Sequence, residues 1–171
     1  MSKDGLDYNQ NKEKVPRTVF HKGIELATIA VLIIMVTYPI AIWNTLPDKL
    51  PMHYNVAGEI DRWGSRAELF TLPVIGLFMY GLLSLVSSFP STWNIPVTIT
   101  RENRTRVYQC TKSMLLLMKL EVIILFAYLE YQVIGQRELT GSFLSIVLLV
   151  IFGTIVYFIR RMYKVAKRKV N

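Results

Sequence analysis

Three ionisable side chains, Lys119, Glu121 and Glu130, lie inside an otherwise apolar run over residues 114–134. A charged group in hydrocarbon is costly, so each must be protonated, paired, turned to a wet cavity or able to reach the membrane edge. If the run is helical, about 100° per residue puts Lys119 and Glu130 on nearly one face, yet about 16 Å apart along the axis, too far to pair. Lys119 falls about 8 Å inside one edge, where its stem lets the ammonium snorkel, and Glu130 about 6 Å from the other, within reach of water or a loop. Glu121 is the deepest and shares the opposite face with Leu125, Tyr128 and Gln132. There it is either a proton-linked or ligand-binding group, or a protonated, hydrogen-bonded carboxyl that fixes helix register. Glu25, near the start of an earlier apolar run, is a partner available to Lys119.

A second group of polar residues lies between Asn44 and Glu68. Pro47 and Pro51 hold His53 and Asn55 in an extended stretch, and Gly58 and Gly64 bracket a turn carrying Glu59 and Asp61. His53, Asn55, Glu59 and Asp61 can converge on one spot. One imidazole with no second His or Cys nearby is a poor zinc set, so no metal or cofactor is expected. The alternative is a capped turn in which Asn55 and Asp61 bond loop amides. No nucleophile–base pair stands out, and no catalytic residue is assigned.

The elements that position these groups follow from hydropathy. The chain has 171 residues, 52% hydrophobic, gathered in blocks over residues 26–43, 69–89, 114–134 and 143–159. About 20 helical residues cross a ~30 Å hydrocarbon core, so each block suits one span. The first reads as an uncleaved anchor, because no small-residue cleavage site ends it. The expected fold is all-α: a polytopic four-helix transmembrane bundle with a structured extracytoplasmic loop. Residues 1–23 form a cytoplasmic tail, 24–159 the membrane domain and 160–171 a basic tail. Pro73, Gly76 and Gly81 in the second block suit close helix packing. Cys110 is the sole cysteine, so no intrachain disulfide forms; the thiol is inert or a palmitoylation site.

The net charge of +8 is distributed asymmetrically. Lys and Arg number five before the first block, four between the second and third and six after the fourth, against three and one in the other two connections. Basic flanks stay cytoplasmic, so both termini and the middle loop are placed inside a cell membrane crossed four times. The charge therefore meets anionic headgroups and is no nucleic-acid footprint. Arg101, Arg104 and Arg106 face lipid phosphates or a cytoplasmic regulator, and homo-oligomers are possible.

The run with Pro47, Pro51, His53, Asn55, Gly58, Asp61, Gly64 and Arg66, just after a first span, resembles the loop of an uncharacterised bacterial membrane domain. That domain forms the N-terminal half of SdpI-like immunity proteins, which protect producing cells against a secreted killing peptide. Pro73 fits as well, and the resemblance covers residues 24–90, with the basic loop and Lys119-bearing span matching more loosely. The immunity protein resembles a longer, six-span molecule; this chain is expected to end after four spans, so nothing of that second half carries over.

The resemblance implies a non-enzymatic membrane protein in peptide immunity or envelope sensing, meeting an extracellular peptide at His53, Asn55, Gly58 and Asp61. The alternatives are a proton-coupled small transporter or intramembrane enzyme centred on Glu121, and a structural partner subunit.

Overall fold

A computed structural model describes residues 15–168. The chain is mostly helical. Helix α1 (Val19–Ala41) leads through a 3-10 turn at Trp43–Thr45 into strands β1 (Lys49–Tyr54) and β2 (Ile60–Ser65). A second 3-10 turn, Arg66–Phe70, feeds α2 (Thr71–Ser88), followed by α3 (Arg104–Ile134) and α4 (Phe143–Lys167).

Local chemistry sets the boundaries. Thr18 and His21 form a reciprocal capping box that starts α1, and Ser65 and Glu68 form another at the turn into α2; each satisfies amides that a helix start leaves open. Helix α3 ends where Gln136 takes a positive φ of 52°, and the Arg137 amide returns to the Gln132 carbonyl at 3.0 Å.

Helix α3 is the hub, packed against α1, α2 and α4. It runs parallel to α1, because His21 near the α1 start meets Ser113 in the first third of α3, while Leu46 just past the α1 end packs with Val133 at the end of α3. Helix α4 runs antiparallel to it, because Asn103 beside the α3 start reaches the Ala166 carbonyl near the α4 end. All helices thus share a hairpin end and a basic end. The apolar core lies in three clusters along the axis: Leu46, Leu50, Leu69 and Val133 under the hairpin; Leu32, Met35 and Ile123 midway; Cys110, Phe158 and Met162 at the basic end.

Among the described residues, three helices are long and apolar enough to cross a membrane: Val19–Ala41, Arg66–Ser88 and Phe143–Lys167. This is the pattern of a membrane protein. The outer face of α4 exposes Leu144, Leu149, Phe152 and Tyr157, a surface that suits lipid better than water. Residues 114–134 belong instead to a helix of 31 residues, about 46 Å long at 1.5 Å per residue, whose apolar stretch carries Lys119, Glu121 and Glu130. Its polar side chains Thr111, Lys119, Glu130 and Gln132 are all buried against neighbouring helices. The hub's polarity is therefore directed inward.

Several sequence expectations change. The loop after α1 is a β-hairpin, so the described chain is not purely α. Gly64 lies inside β2 rather than at the turn, because a Cβ there would strike Met52 Cγ at 2.8 Å and the Glu68 carboxylate. The expected basic tail over 160–171 is helical as far as Lys167, and Arg104 and Arg106 lie in the first turn of α3 rather than in a loop. Of the expected tail over 1–23, residues 1–14 lie outside the described residues, and α1 already begins at Val19. Gly76 does let α1 approach, since a Cβ there would overlap Met35 Cε, whereas Gly81 has no neighbour within 4 Å.

Candidate functional site

The hairpin lies across the ends of the helices. Leu50 and Pro51 of β1 are fully buried, and Leu50 joins Leu46, Leu69 and Val133, tying the sheet to α1, α2 and α3. Irregular register between Pro51 and Tyr54 leaves Met52 and Asp61 without Cα partners, and such bulges re-aim side chains. Asp61 consequently meets His53, with Nδ1 of the ring donating to the carboxylate at 2.6 Å. In the neutral ring this leaves Nε2 as an acceptor. Asn55 closes the turn: its side-chain oxygen accepts the Glu59 amide at 3.0 Å and its amide group donates to the Glu59 carboxylate at 2.8 Å. Asn55 thus bonds a loop amide, as the sequence suggests. Asp61 does not, because the bulge turns it toward His53.

Gly58 has a φ of +91°, and its carbonyl accepts the Leu139 amide at 2.9 Å. A Cβ there would lie 2.5 Å from the Leu139 carbonyl oxygen. Glycine is required both for the backbone conformation and for the contact. Behind the turn, Arg66 lies 4.7 Å from the Trp43 ring centre and donates to the Leu46 carbonyl at 3.4 Å, holding the hairpin against the end of α1.

Between the hairpin and the ends of α2, α3 and α4 lies a cleft of about 740 Å³. Leu72, Leu129, Val133 and Phe143 form its apolar floor, and His53, Asn55, Asp61, Arg62 and Glu68 its polar rim. Ligand sites are commonly ~300–1,000 Å³, mostly apolar with a few polar groups. Tyr54 lines the cleft too, with its hydroxyl buried and without a hydrogen-bond partner among the described residues. Burial and, less, the nearby Tyr128 push its phenol above the ordinary value, so it stays a neutral donor.

The polar residues inside the bundle form separate groups. Lys119 is 1% exposed. It does not snorkel, because α1 and α2 enclose it. Its ammonium donates to both Glu25 oxygens at 2.9 and 2.8 Å and to Ser84 Oγ at 3.0 Å, and lies 4.5 Å from the Tyr80 ring centre. The Tyr80 hydroxyl donates to Glu25 at 2.7 Å, completing the cluster. Glu130 is 3% exposed, and its Oε1 lacks a partner among the described residues; the inward turn of α3 keeps it from water. Glu121 faces α4, where Thr154 Oγ1 donates to Oε1 at 2.5 Å while Oε2 is buried without a partner among the described residues. Tyr128 stacks on Phe143, with ring centres 5.4 Å apart, behind the cleft floor. Glu121 is about 12 Å further along the axis than Leu129 and does not line the cleft.

Sequence reasoning missed the apolar floor, Tyr54 and Thr154. Floor residues carry the same signal as lipid-facing ones. Tyr54 adjoins His53 and Asn55, which was the available clue.

Residues 30–77, covering the second half of α1, the hairpin and the start of α2, match the family described as Domain of unknown function (DUF1648). An uncharacterized protein of Archaeoglobus fulgidus is 27% identical over 89 residues, covering 47% of this chain and 49% of that protein. The chain thus spans about half the length of this curated relative. No solved structure matches.

Proposed function

We propose that the chain is a non-enzymatic, SdpI-like four-span protein of the cell membrane that receives a secreted amphipathic peptide in the cleft beneath its hairpin. Immunity to a killing peptide, or envelope sensing, is the role this reading assigns. The observation that carries it is the cleft, whose apolar floor and charged rim suit a peptide with one apolar and one polar face. Two further points support it: the matched domain is found in SdpI-like membrane proteins, and α3 turns its charges inward, so its remaining surface can meet lipid as a fourth span. His53, Asn55, Gly58 and Asp61 shape the rim in this reading, and both termini are cytoplasmic. The membrane domain runs over residues 24–159.

The test is to fill the floor. Leu129→Trp and Leu72→Trp, present at wild-type abundance, are expressed in a strain susceptible to a secreted amphipathic killing peptide and challenged with that peptide. Loss of protection is expected; full protection by both would sink the reading.

A second reading, a proton-coupled transporter or intramembrane enzyme centred on Glu121, draws on the unpartnered Glu121 Oε2 and Glu130 Oε1. In a third, the exposed apolar face of α4 makes the chain a structural subunit that docks on a membrane partner.

A further inference from the structure

A second, smaller cavity opens at the basic end, lined by Arg17, His21, Glu25, Ser84, Ser87, Ser88, Lys112, Leu116 and Lys119. It plays no part in the reading of the hairpin cleft. Arg17, Lys112 and Lys119 are its basic groups and Glu25 its acidic one, and Lys119 already holds Glu25. Arg17 and Lys112 have no hydrogen-bond or ion-pair partner among the described residues, so the cavity keeps a surplus of two positive charges.

His21 adds no charge. Its Nδ1 accepts the Thr18 amide at 3.3 Å, which places the ring proton on Nε2, 2.8 Å from Ser113 Oγ. Ser113 in turn donates to the Gln109 carbonyl. The ring is satisfied as a neutral group and walls one side. Helix α1 begins beside it, and the positive end of a helix dipole favours an anion there. On the opposite wall, where the C-terminal turn of α2 would repel one, Ser87 and Ser88 both donate to the Ser84 carbonyl and occupy it. The cavity is about 40 Å³, room for a small group and not for a large ligand.

We propose that this pocket binds one phosphate group between Arg17 and Lys112, beside the Glu25–Lys119 pair. Two cations lining one small cavity match the charge of a phosphoryl head, with the rest of the ligand projecting through the mouth. A phospholipid headgroup and a free phosphate ester share this chemistry, and the test separates them.

Wild type, the double variant Arg17→Gln/Lys112→Gln, and the control Lys164→Gln/Lys167→Gln are compared in nanodiscs of phosphatidylcholine with and without phosphatidylglycerol. The control removes the same charge from exposed positions at the same end. Bound lipid is counted by native mass spectrometry, and thermal stabilisation by inorganic phosphate is measured in the phosphatidylcholine discs. Two lost charge-assisted hydrogen bonds should lower occupancy at least about tenfold in the pocket variant and not in the control. Arg17→Lys should retain most binding. Retained phosphatidylglycerol without a phosphate response assigns a headgroup; a response to phosphate assigns a soluble ester. Equal behaviour of wild type and the pocket variant, or equal loss in pocket variant and control, overturns the site. Helicity by circular dichroism confirms that each variant is folded.

Discussion

The Gly58 carbonyl accepts the Leu139 amide at 2.9 Å, and this bond ties the hairpin tip to the connection between α3 and α4. The two residues belong to different halves of the chain, yet together they form one wall of the cleft. A two-stranded hairpin is marginal alone. Its order depends on such anchors and on Leu50 buried beneath it.

Gly58→Ala should therefore loosen the cleft as well as strain the turn. At a φ of +91°, with the new methyl 2.5 Å from the Leu139 oxygen, a loss of about 1–3 kcal/mol is expected. Gly141→Ala is the comparison, because its Cβ would meet the nearest atom, the Ala57 carbonyl oxygen, at an ordinary 3.7 Å. Thermal unfolding in detergent should show a lower Tm for the first variant only. A neutral Gly58→Ala would mean that the tip does not dock.

Tyr54 carries a buried hydroxyl with no partner among the described residues. Leaving a polar group so costs about 1–3 kcal/mol. Tyr54→Phe should hold or raise Tm in the free protein. If the phenol serves a ligand in the cleft, the same variant should weaken protection against the peptide. A drop in Tm would show that the hydroxyl has a partner.

Much of the architecture was legible because hydropathy alone locates helices: α1, α2 and α4 lie close to the apolar blocks. The hairpin was half legible. Prolines, Gly58 and Asn55 signalled turns, but a bulge that swings Asp61 toward His53 depends on pairing between strands, which spacing does not reveal. The Glu25–Lys119 pair was legible in the sequence, whereas the burial of Lys119 and Glu130 was not. Distance to a membrane edge was used where the deciding fact was that α3 sits among the other three helices. A helical wheel gives faces; it does not say how many faces are covered.

The Glu25–Lys119 pair should be a large contributor to bundle stability when broken from one side. Lys119→Met leaves the Glu25 carboxylate with only Tyr80 as a hydrogen-bond partner among the described residues, and removing one partner of a buried pair costs about 3–5 kcal/mol. Glu25 keeps 23% of its side-chain surface exposed, so the lower end of that range is expected. The double variant Glu25→Gln/Lys119→Met should recover most of the loss, since neither charge remains. Unfolding by SDS titration in mixed micelles reads both. Additive losses would show that the two residues are not coupled.

Topology is open to a direct measurement. In a Cys110→Ala background, cysteines are placed singly at Val56, 84% exposed on the hairpin turn, and at Lys167 at the end of α4. Intact cells are treated with an impermeant thiol reagent. Labelling at position 56 alone is expected from the charge asymmetry. Labelling at 167 alone would invert the bundle, and labelling at both would rule out an odd number of spans between them.

Glu121 decides between a packing and a proton-coupled role. Thr154 Oγ1 donates to Glu121 Oε1. Glu121→Gln keeps an oxygen that can accept this bond and keeps the size of the side chain. If the residue only joins α3 to α4, Gln should preserve both abundance and protection. Glu121→Leu and Thr154→Val should each lose one interhelical hydrogen bond, which in membranes averages well under about 2 kcal/mol. Their double variant should be no worse than the poorer single. If Glu121 instead takes up and releases a proton in a working cycle, Gln is as damaging as Leu, while Thr154→Val, which leaves the carboxyl in place, retains function. Growth of a susceptible strain challenged with a secreted killing peptide separates the two patterns, with abundance checked by immunoblot. The packing role predicts that Gln survives. Complete loss of protection by a Gln variant present at normal levels would transfer the assignment to proton coupling.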